Sequence, residues 1–186
     1  ENNTVNVTSG TAIYLTNASN NTLQRNNASS NTGLVGAGLW LANSRNNVLF
    51  NNTVWNPNAE ALVLTTSTNN NLSYNRLTSD TAQALLINTT STNNEIYNTS
   101  AISISGQAIS IDASNDNILN NNTATSTDGN AIQLLSSNNN NLTRNRADST
   151  SGVGLRLENS AGNNLTNNIA TSDSSTGTLL LTSSNN

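Results

Sequence analysis

The feature that most constrains the fold is a pair of apolar residues, separated by one residue, that recurs every 23 to 26 positions. A fixed period of this length is typical of a solenoid, in which each repeat buries its apolar face only against its neighbours. The eight pairs are Ile13/Leu15, Leu39/Leu41, Leu62/Leu64, Leu85/Ile87, Ile109/Ile111, Ile132/Leu134, Leu155/Leu157 and Leu179/Leu181.

Two further apolar columns accompany the pairs. The second column comprises Leu23, Leu49, Leu72, Ile96, Ile118, Leu142 and Leu165. The third column comprises Ala28, Val54, Leu77, Ile102, Ala124, Ala147 and Ala170. Each repeat therefore supplies three short segments in which apolar and polar residues alternate, and alternation is the period of a β-strand.

These columns predict an all-β fold, in which residues 1–186 form one domain, a right-handed parallel β-helix solenoid. We expect about eight coils of 22–26 residues, with ladders of Asn and Ser at the turns. The hand follows from the general preference of parallel crossover connections and not from these particular residues.

Polar residues recur in the same register. One column holds Asn21, Asn47, Asn70, Asn94, Asp116, Asn140 and Asn163. A second holds Asn26, Asn52, Asn75, Asn121, Asn145 and Asn168, with Thr99 as the exception. A serine column holds Ser19, Ser44, Ser67, Ser91, Ser114, Ser137, Ser160 and Ser184. Because an Asn side chain can bond turn backbone and stack on its own copies, we interpret the 42 Asn as structural.

The residue types that the sequence lacks exclude several kinds of chemistry. There is no His, Cys, Met or Lys, which removes thiol nucleophiles, Ser-His-Asp triads and the ligands of typical zinc sites. We therefore expect no cofactor. A net charge of −4, with six dispersed Arg, argues against nucleic acid as a partner. No apolar run approaches the roughly 18 residues of a membrane span.

The repeats resemble those of NosD-like periplasmic proteins and archaeal surface-layer proteins, which are parallel β-helices. The stretch Ala131-Ile-Gln-Leu-Leu-Ser-Ser-Asn-Asn-Asn-Asn-Leu142 carries the resemblance, which extends over essentially the whole chain. It implies the fold and an extracellular or cell-surface location, but no site residues, because the shared motif is the scaffold itself.

An enzymatic β-helix that cleaves polysaccharides would need clustered carboxylates. The candidates are Asp128, Asp148 and Asp173, expected in the loop before the apolar pair of consecutive coils, with Asp80 in the same loop earlier in the chain. We interpret them as solubilising turn residues, so that no catalytic and no metal site is predicted. A calcium strip and a lyase or hydrolase site are the less favoured alternatives.

A contact surface is predicted from the outward positions of the first four coils. Two sets of apolar side chains point away from the core there, and the candidates are Tyr14, Trp40, Phe50, Val63, Leu86 and Tyr97. A contiguous exposed apolar strip is typical of a binding surface. It would pack against another protein, against the insertion at residues 33–38, or, through Trp40 and Tyr14, against sugar rings.

Covalent glycans are a further expectation, because Asn-x-Ser/Thr acceptor sequences are abundant. They begin at Asn2, Asn6, Asn17, Asn20, Asn27, Asn51, Asn71, Asn88, Asn98, Asn121, Asn141 and Asn164. About this many would arise by chance in so Asn-rich a chain, although Asn71, Asn141 and Asn164 share one outward position.

Both ends of the sequence have ordinary repeat character, without recognisable caps. We therefore expect either further coils or head-to-tail stacking on copies of the chain, which would build an open filament. The leading hypothesis is a structural extracellular protein, as part of a surface filament, a surface layer or an adhesin. The alternatives are a carbohydrate-binding module, with polysaccharide as the partner, and a polysaccharide lyase or hydrolase.

Overall fold

The computed structural model describes residues 1–31 and 36–186, which contain 23 strands of three or four residues each. They form three parallel sheets, named sheets 1 to 3 in the order in which the chain visits them. Sheet 1 consists of β1 (Thr4–Val7), β4 (Asn27–Ser30), β7 (Thr53–Asn56), β10 (Arg76–Ser79), β13 (Ser100–Ser103), β16 (Thr123–Ser126), β19 (Arg146–Ser149) and β22 (Ile169–Ser172). Sheet 2 consists of β2 (Ile13–Thr16), β5 (Leu39–Ala42), β8 (Leu62–Thr65), β11 (Leu85–Asn88), β14 (Ile109–Asp112), β17 (Ile132–Leu135), β20 (Leu155–Glu158) and β23 (Thr178–Leu181). Sheet 3 consists of β3 (Thr22–Gln24), β6 (Val48–Phe50), β9 (Asn71–Ser73), β12 (Glu95–Tyr97), β15 (Ile118–Asn120), β18 (Asn141–Thr143) and β21 (Asn164–Thr166).

Each coil contributes one strand to every sheet, and every strand pairs in parallel with its equivalent in the next coil. Seven coils of the described residues supply all three strands, and an eighth supplies β22 and β23. Since strands this short have no buried face of their own, stacking is what buries them. The all-β solenoid of about eight coils predicted from the sequence is therefore confirmed.

The core is one narrow column of Leu, Ile, Val and Ala side chains that runs along the inside of the stack. The inward pair residues of sheet 2 are buried in every coil from β5 to β20. Immediately before these strands the chain bends from sheet 1 into sheet 2, and only small residues occupy the bend. A Cβ atom on Gly38, for example, would lie 2.5 Å from Cγ1 of Val54. The small residues in this column are Gly38, Ala61, Ala84, Ala108, Ala131 and Gly154.

The predicted register is wrong by one residue in the fifth coil. Leu119 pairs with Ile96 and is fully buried, whereas Ile118 points outward and is 42% exposed. In the same coil Ala101, and not Ile102, pairs with Leu77 and faces the core. Both errors arise where two apolar residues are adjacent, so that alternation alone does not decide which one faces inward.

The predicted register is also wrong in the last coil. β23 pairs with β20 so that Thr178 aligns with Leu155 and Leu180 aligns with Leu157. Leu180 therefore occupies the inward column and is 47% exposed, while Leu179 aligns with the outward Arg156. Three consecutive Leu residues make this register ambiguous in the sequence.

Two asparagine ladders fix the turns on either side of sheet 3. At each step between two asparagines, an Asn Oδ1 atom accepts hydrogen bonds from both the backbone N–H and the side-chain amide of its equivalent in the preceding coil. For Asn94 these donors are N and Nδ2 of Asn70, each at 3.0 Å, and its own Nδ2 donates to Ser67 O at 2.8 Å. Because the amide groups of consecutive ladder asparagines are paired in this way, the ladders stabilise the turns by hydrogen bonds between coils.

The ladders confirm most of the predicted Asn and Ser columns and correct four positions. In the fifth coil Asn117 and Asn122 hold the ladder positions predicted for Asp116 and Asn121. In the serine ladder, Ala18 stands at the first position in place of Ser19, and Ser183 stands at the last in place of Ser184. The predicted exception at Thr99 is confirmed, since its N–H donates to Asn122 Oδ1 but its side chain has no amide to continue the ladder.

Candidate functional site

All six aromatic residues of the chain lie on outward positions of the first four coils, and none contributes to the core. Aromatic side chains normally bury more apolar area than any other type, so their complete absence from the core requires a reason. The six side chains are Tyr14 and Trp40 on sheet 2, Trp55 on sheet 1, and Phe50, Tyr74 and Tyr97 along sheet 3.

On sheet 2 the aromatic rings of Tyr14 and Trp40 are in contact. Their strands pair so that the two residues are direct neighbours, and their ring centroids lie 5.4 Å apart at an angle of 51°. The indole Nε1 of Trp40 donates a hydrogen bond of 3.1 Å to Thr65 Oγ1 in the next coil. Thr65 Oγ1 in turn donates to Asn88 Oδ1 at 3.0 Å, so the ring is held in one orientation.

A groove of about 270 Å³ lies on the outward face of sheet 2 beside Trp40. Its floor is apolar and consists of Trp40, Val63 and Leu86 from three successive coils. Its polar edge consists of Glu60, Thr65 and Asn88. A concave surface with an apolar floor and a few fixed polar groups has the general form of a small-ligand site.

Val63 differs from the expectation for an exposed contact residue. It occupies an outward position, as predicted, but is only 6% exposed, because Trp40 and Leu86 flank it on both sides. The insertion at 33–38, proposed as a cover, lies partly outside the described residues. Its described residues Gly36 and Ala37 line one end of the groove.

The other two predicted contact residues, Phe50 and Tyr97, lie along sheet 3 and not in the groove. They are joined by Tyr74, whose ring centroid lies 5.6 Å from each of theirs. Tyr74 is 48% exposed and has a φ of 59°, a left-handed conformation that bulky residues rarely adopt. The equivalent turn residues of the other coils, among them Arg25, Asn51 and Asn98, also have a positive φ, so Tyr74 differs from them in being aromatic and not in its backbone.

Sequence reasoning missed Trp55 and Tyr74 as surface aromatics. Trp55 is 41% exposed on sheet 1, where the inward Val54 precedes it. The alternation in β7 was the signal that could have found Trp55. Tyr74 follows a strand directly, and no alternation extends into that turn.

The structure does not bring the candidate carboxylates together. Asp148 does not lie in the predicted loop but within β19. There it forms an ion pair with Arg146 and accepts a hydrogen bond of 2.7 Å from Thr171 Oγ1. Asp128 and Asp173 follow strands β16 and β22 at different turn positions. Asp80 precedes Asp128 by two coils. Among the described residues, no group of three His, Cys, Asp or Glu side chains could hold a metal ion.

None of the twelve asparagines that begin acceptor sequences is buried. The buried ladder residues, among them Asn47, Asn70 and Asn94, do not begin acceptor sequences. In the row expected from the sequence, Asn164 Nδ2 donates to Asn141 Oδ1 at 3.2 Å, whereas Asn71 lies three coils from Asn141 and donates to Glu95. Whether any of the twelve carries a glycan stays a prediction.

A cavity of about 450 Å³ opens at the first coil, where Val5, Ile13, Leu15 and Leu23 continue the core. A further coil of the same chain or a second copy would cover such a surface equally well. Head-to-tail stacking therefore stays a prediction. No helix long and apolar enough to cross a membrane occurs in the described part of the chain.

Comparison with solved structures identifies the same architecture in an enzyme. The chain is similar to the periplasmic alginate epimerase AlgG, with 23% identity and a TM-score of 0.65, over 78% of this chain and 36% of that one. A single-residue variant of the epimerase matches with 19% identity and a TM-score of 0.62 over the same shares. The chain thus spans about a third of the length of its structural relatives, and at these identities the likeness establishes the fold alone. None of the curated proteins compared matches the sequence significantly.

Two family models match the sequence. The model described as periplasmic copper-binding protein (NosD) matches residues 1–103, more than half of the chain, and the model described as right-handed β-helix region matches residues 87–186. The right hand and the resemblance predicted from the sequence are both confirmed. The NosD family is described as periplasmic, which is consistent with the expected extracellular or cell-surface location. The chain belongs to the NosD family of right-handed parallel β-helix proteins.

Proposed function

We propose that the protein is a carbohydrate-binding β-helix and that the groove beside Trp40 receives the sugar. The observation that carries the proposal is the fixed Trp40 ring, which forms part of the groove floor and is held by Thr65. The face of an aromatic ring is slightly negative, and the C–H groups on the face of a sugar ring are slightly positive. The carboxylate of Glu60 and the amide of Asn88 are placed to exchange hydrogen bonds with sugar hydroxyls.

The placement of the other aromatic residues supports this proposal. Six outward aromatic side chains, with none in the core, are unexpected if their purpose is to stabilise the fold. The similarity to an enzyme named for its action on alginate, which is a polysaccharide, also favours a carbohydrate ligand.

The groove fits binding better than turnover. Among the described residues that line it, Glu60 is the only one with an ionisable side chain. Cleavage of a glycosidic bond needs a second carboxylate to act with the first. We therefore propose a binding role, and a lyase or hydrolase that uses Asp128, Asp148 and Asp173 is the less favoured alternative.

The residues of this chain do not fit the copper ion that the family description names. Copper binds thiolate, thioether and imidazole ligands, and the chain has no Cys, Met or His. The buried polar side chains are Asn, Ser and Thr99, and most of them already take part in hydrogen bonds within the ladders and turns. We assign no copper chemistry to this chain.

The second candidate function is a structural role in a surface filament, a surface layer or an adhesin, with N-linked glycans. The observation that favours it is the separation between acceptor and ladder asparagines, which leaves all twelve acceptors unburied. Intact mass spectrometry of the native protein tests whether glycans are attached, and a mass equal to that of the bare chain would contradict their presence. Negative-stain electron microscopy tests assembly, since long regular fibres are expected from stacking and discrete rods contradict it.

The experiment that tests the carbohydrate proposal compares the two tryptophans. Affinity electrophoresis through gels containing soluble polysaccharides measures binding of the wild type, Trp40→Ala and Trp55→Ala. We expect Trp40→Ala to weaken binding at least tenfold, because the floor of the groove is lost. Trp55→Ala is the matched control, since Trp55 lies on sheet 1. Equal losses in both variants, or no binding by the wild type across a broad panel, would contradict the proposal.

A further inference from the structure

We infer that the groove beside Trp40 selects uncharged polysaccharides and rejects polyuronates such as alginate. The inference rests on the proposed function and specifies its ligand class. It separates this chain from its structural relative, whose name associates it with a polyanion.

The charge at the groove carries the argument. Glu60 is half-buried and lines the groove, and its carboxylate has no hydrogen-bond or ion-pair partner among the described residues. No arginine is part of the described lining, and residues 32–35, Thr-Gly-Leu-Val, contain no ionisable side chain. A uronate carboxylate in the groove would therefore face a like charge without a cation to compensate it.

Arginine is present on the same sheet but is placed elsewhere. Arg156 is the outward residue of β20, three coils beyond Leu86, so at about 4.8 Å per coil it lies roughly 14 Å along the stack. Its guanidinium is paired with Glu158 at 2.6 Å. At physiological salt the screening length is about 8 Å, so Arg156 does not offset the charge of Glu60.

The hydrogen-bonding groups of the groove favour hydroxyls. Thr65 Oγ1 is occupied by Trp40 and Asn88, which leaves the Glu60 carboxylate as a free acceptor and the Asn88 amide nitrogen as a free donor among the described residues. A sugar hydroxyl can donate to the Glu60 carboxylate and accept from the Asn88 amide. A carboxylate of the ligand can only accept, so it can bond the Asn88 amide but is repelled by Glu60.

The test measures the affinity of the full-length protein for a neutral β-glucan and for sodium alginate, by affinity electrophoresis at low and physiological salt. We expect the β-glucan to bind at least tenfold more tightly than alginate. Glu60→Gln removes the charge and keeps the shape, so it should raise the affinity for alginate about tenfold, most strongly at low salt. Its affinity for the β-glucan should fall, because a neutral amide oxygen is a weaker acceptor for sugar hydroxyls than a carboxylate, so the preference for the β-glucan over alginate should fall by more than tenfold.

The outcomes separate this inference from the proposed function. Alginate that binds as tightly as the β-glucan, with binding lost in Trp40→Ala, would overturn the inference and leave the carbohydrate site in place. An unchanged alginate affinity in Glu60→Gln would also overturn it. If the protein binds neither polysaccharide, both the proposed function and this inference are contradicted.

Discussion

The indole nitrogen of Trp40 and the hydroxyl of Thr65, one coil apart on sheet 2, form a hydrogen bond of 3.1 Å that fixes the ring of an outward aromatic residue. A surface Trp without such a bond would sample several rotamers and would lose entropy when it binds a ligand. The parallel register brings the two residues together, because successive coils place equivalent positions side by side. Preorganisation of the groove is thus a direct consequence of the solenoid.

Replacement of Thr65 by Val should weaken polysaccharide binding about three- to tenfold while leaving the fold intact. Val has nearly the same shape but cannot accept the Trp40 proton or donate to Asn88, so the ring is no longer held. Isothermal titration calorimetry measures the affinity, and circular dichroism checks the fold. Thr125→Val, on the exposed face of β16, is the matched control, and an equal effect there would contradict the role of Thr65.

Replacement of Asn94 by Ala should lower the free energy of unfolding by about 2–4 kcal/mol. Asn94 accepts two hydrogen bonds from Asn70 and donates to Ser67 O and Asn117, and its loss leaves buried partners unpaired. Urea denaturation measures the change. Asn27→Ala, at an exposed position of β4, should change stability by less than about 0.5 kcal/mol. Similar values for the two variants would show that the ladder adds nothing specific.

Replacement of Gly129 by Ala should destabilise the sixth coil by about 2 kcal/mol or more. The new Cβ atom would lie 2.2 Å from the carbonyl oxygen of Gly106, which is backbone and cannot rotate away. Thermal unfolding measures the effect. The neighbouring exposed substitution Thr127→Ala should have little effect, and a Gly129→Ala protein as stable as the wild type would contradict the close contact between coils.

Replacement of Tyr74 by Asn should lower the free energy of unfolding by about 1 kcal/mol. Asn adopts the left-handed backbone more readily than Tyr, which should stabilise the folded state by roughly 1 kcal/mol. The loss of two ring contacts of about 1 kcal/mol each should outweigh this gain. Tyr74→Phe keeps the ring and should be close to neutral. A stabilised Tyr74→Asn protein would mean that the contacts with Phe50 and Tyr97 contribute nothing to the folded state.

Much of the fold follows from the sequence, because the apolar columns and the Asn ladders repeat at nearly one interval. The prediction failed at Ile118 and Leu119, where two adjacent apolar residues fit alternation equally well, and the ladder position of Asn117 decides between them. It failed again at Leu179 to Leu181 for the same reason. Counting back from the ladder asparagines would have resolved the first case.

The candidate site was less predictable, because it is assembled from different positions of neighbouring coils. The outward direction of Tyr14 and Trp40 follows from alternation alone. The burial of Val63 depends on the size of its neighbours in two other coils, and the polar edge combines Glu60 from a bend with Asn88 from a strand end. Such combinations become visible only when the register between coils is known.

The most direct test of the central claim uses Trp40 as its own reporter. In a Trp55→Phe variant, Trp40 is the only tryptophan of the chain, and its fluorescence reports on the groove. Titration with a neutral oligosaccharide should shift or quench this fluorescence in a saturable way, with the same midpoint as binding measured by calorimetry. Calorimetric binding that leaves the Trp40 fluorescence unchanged would place the sugar elsewhere on the protein and contradict the account.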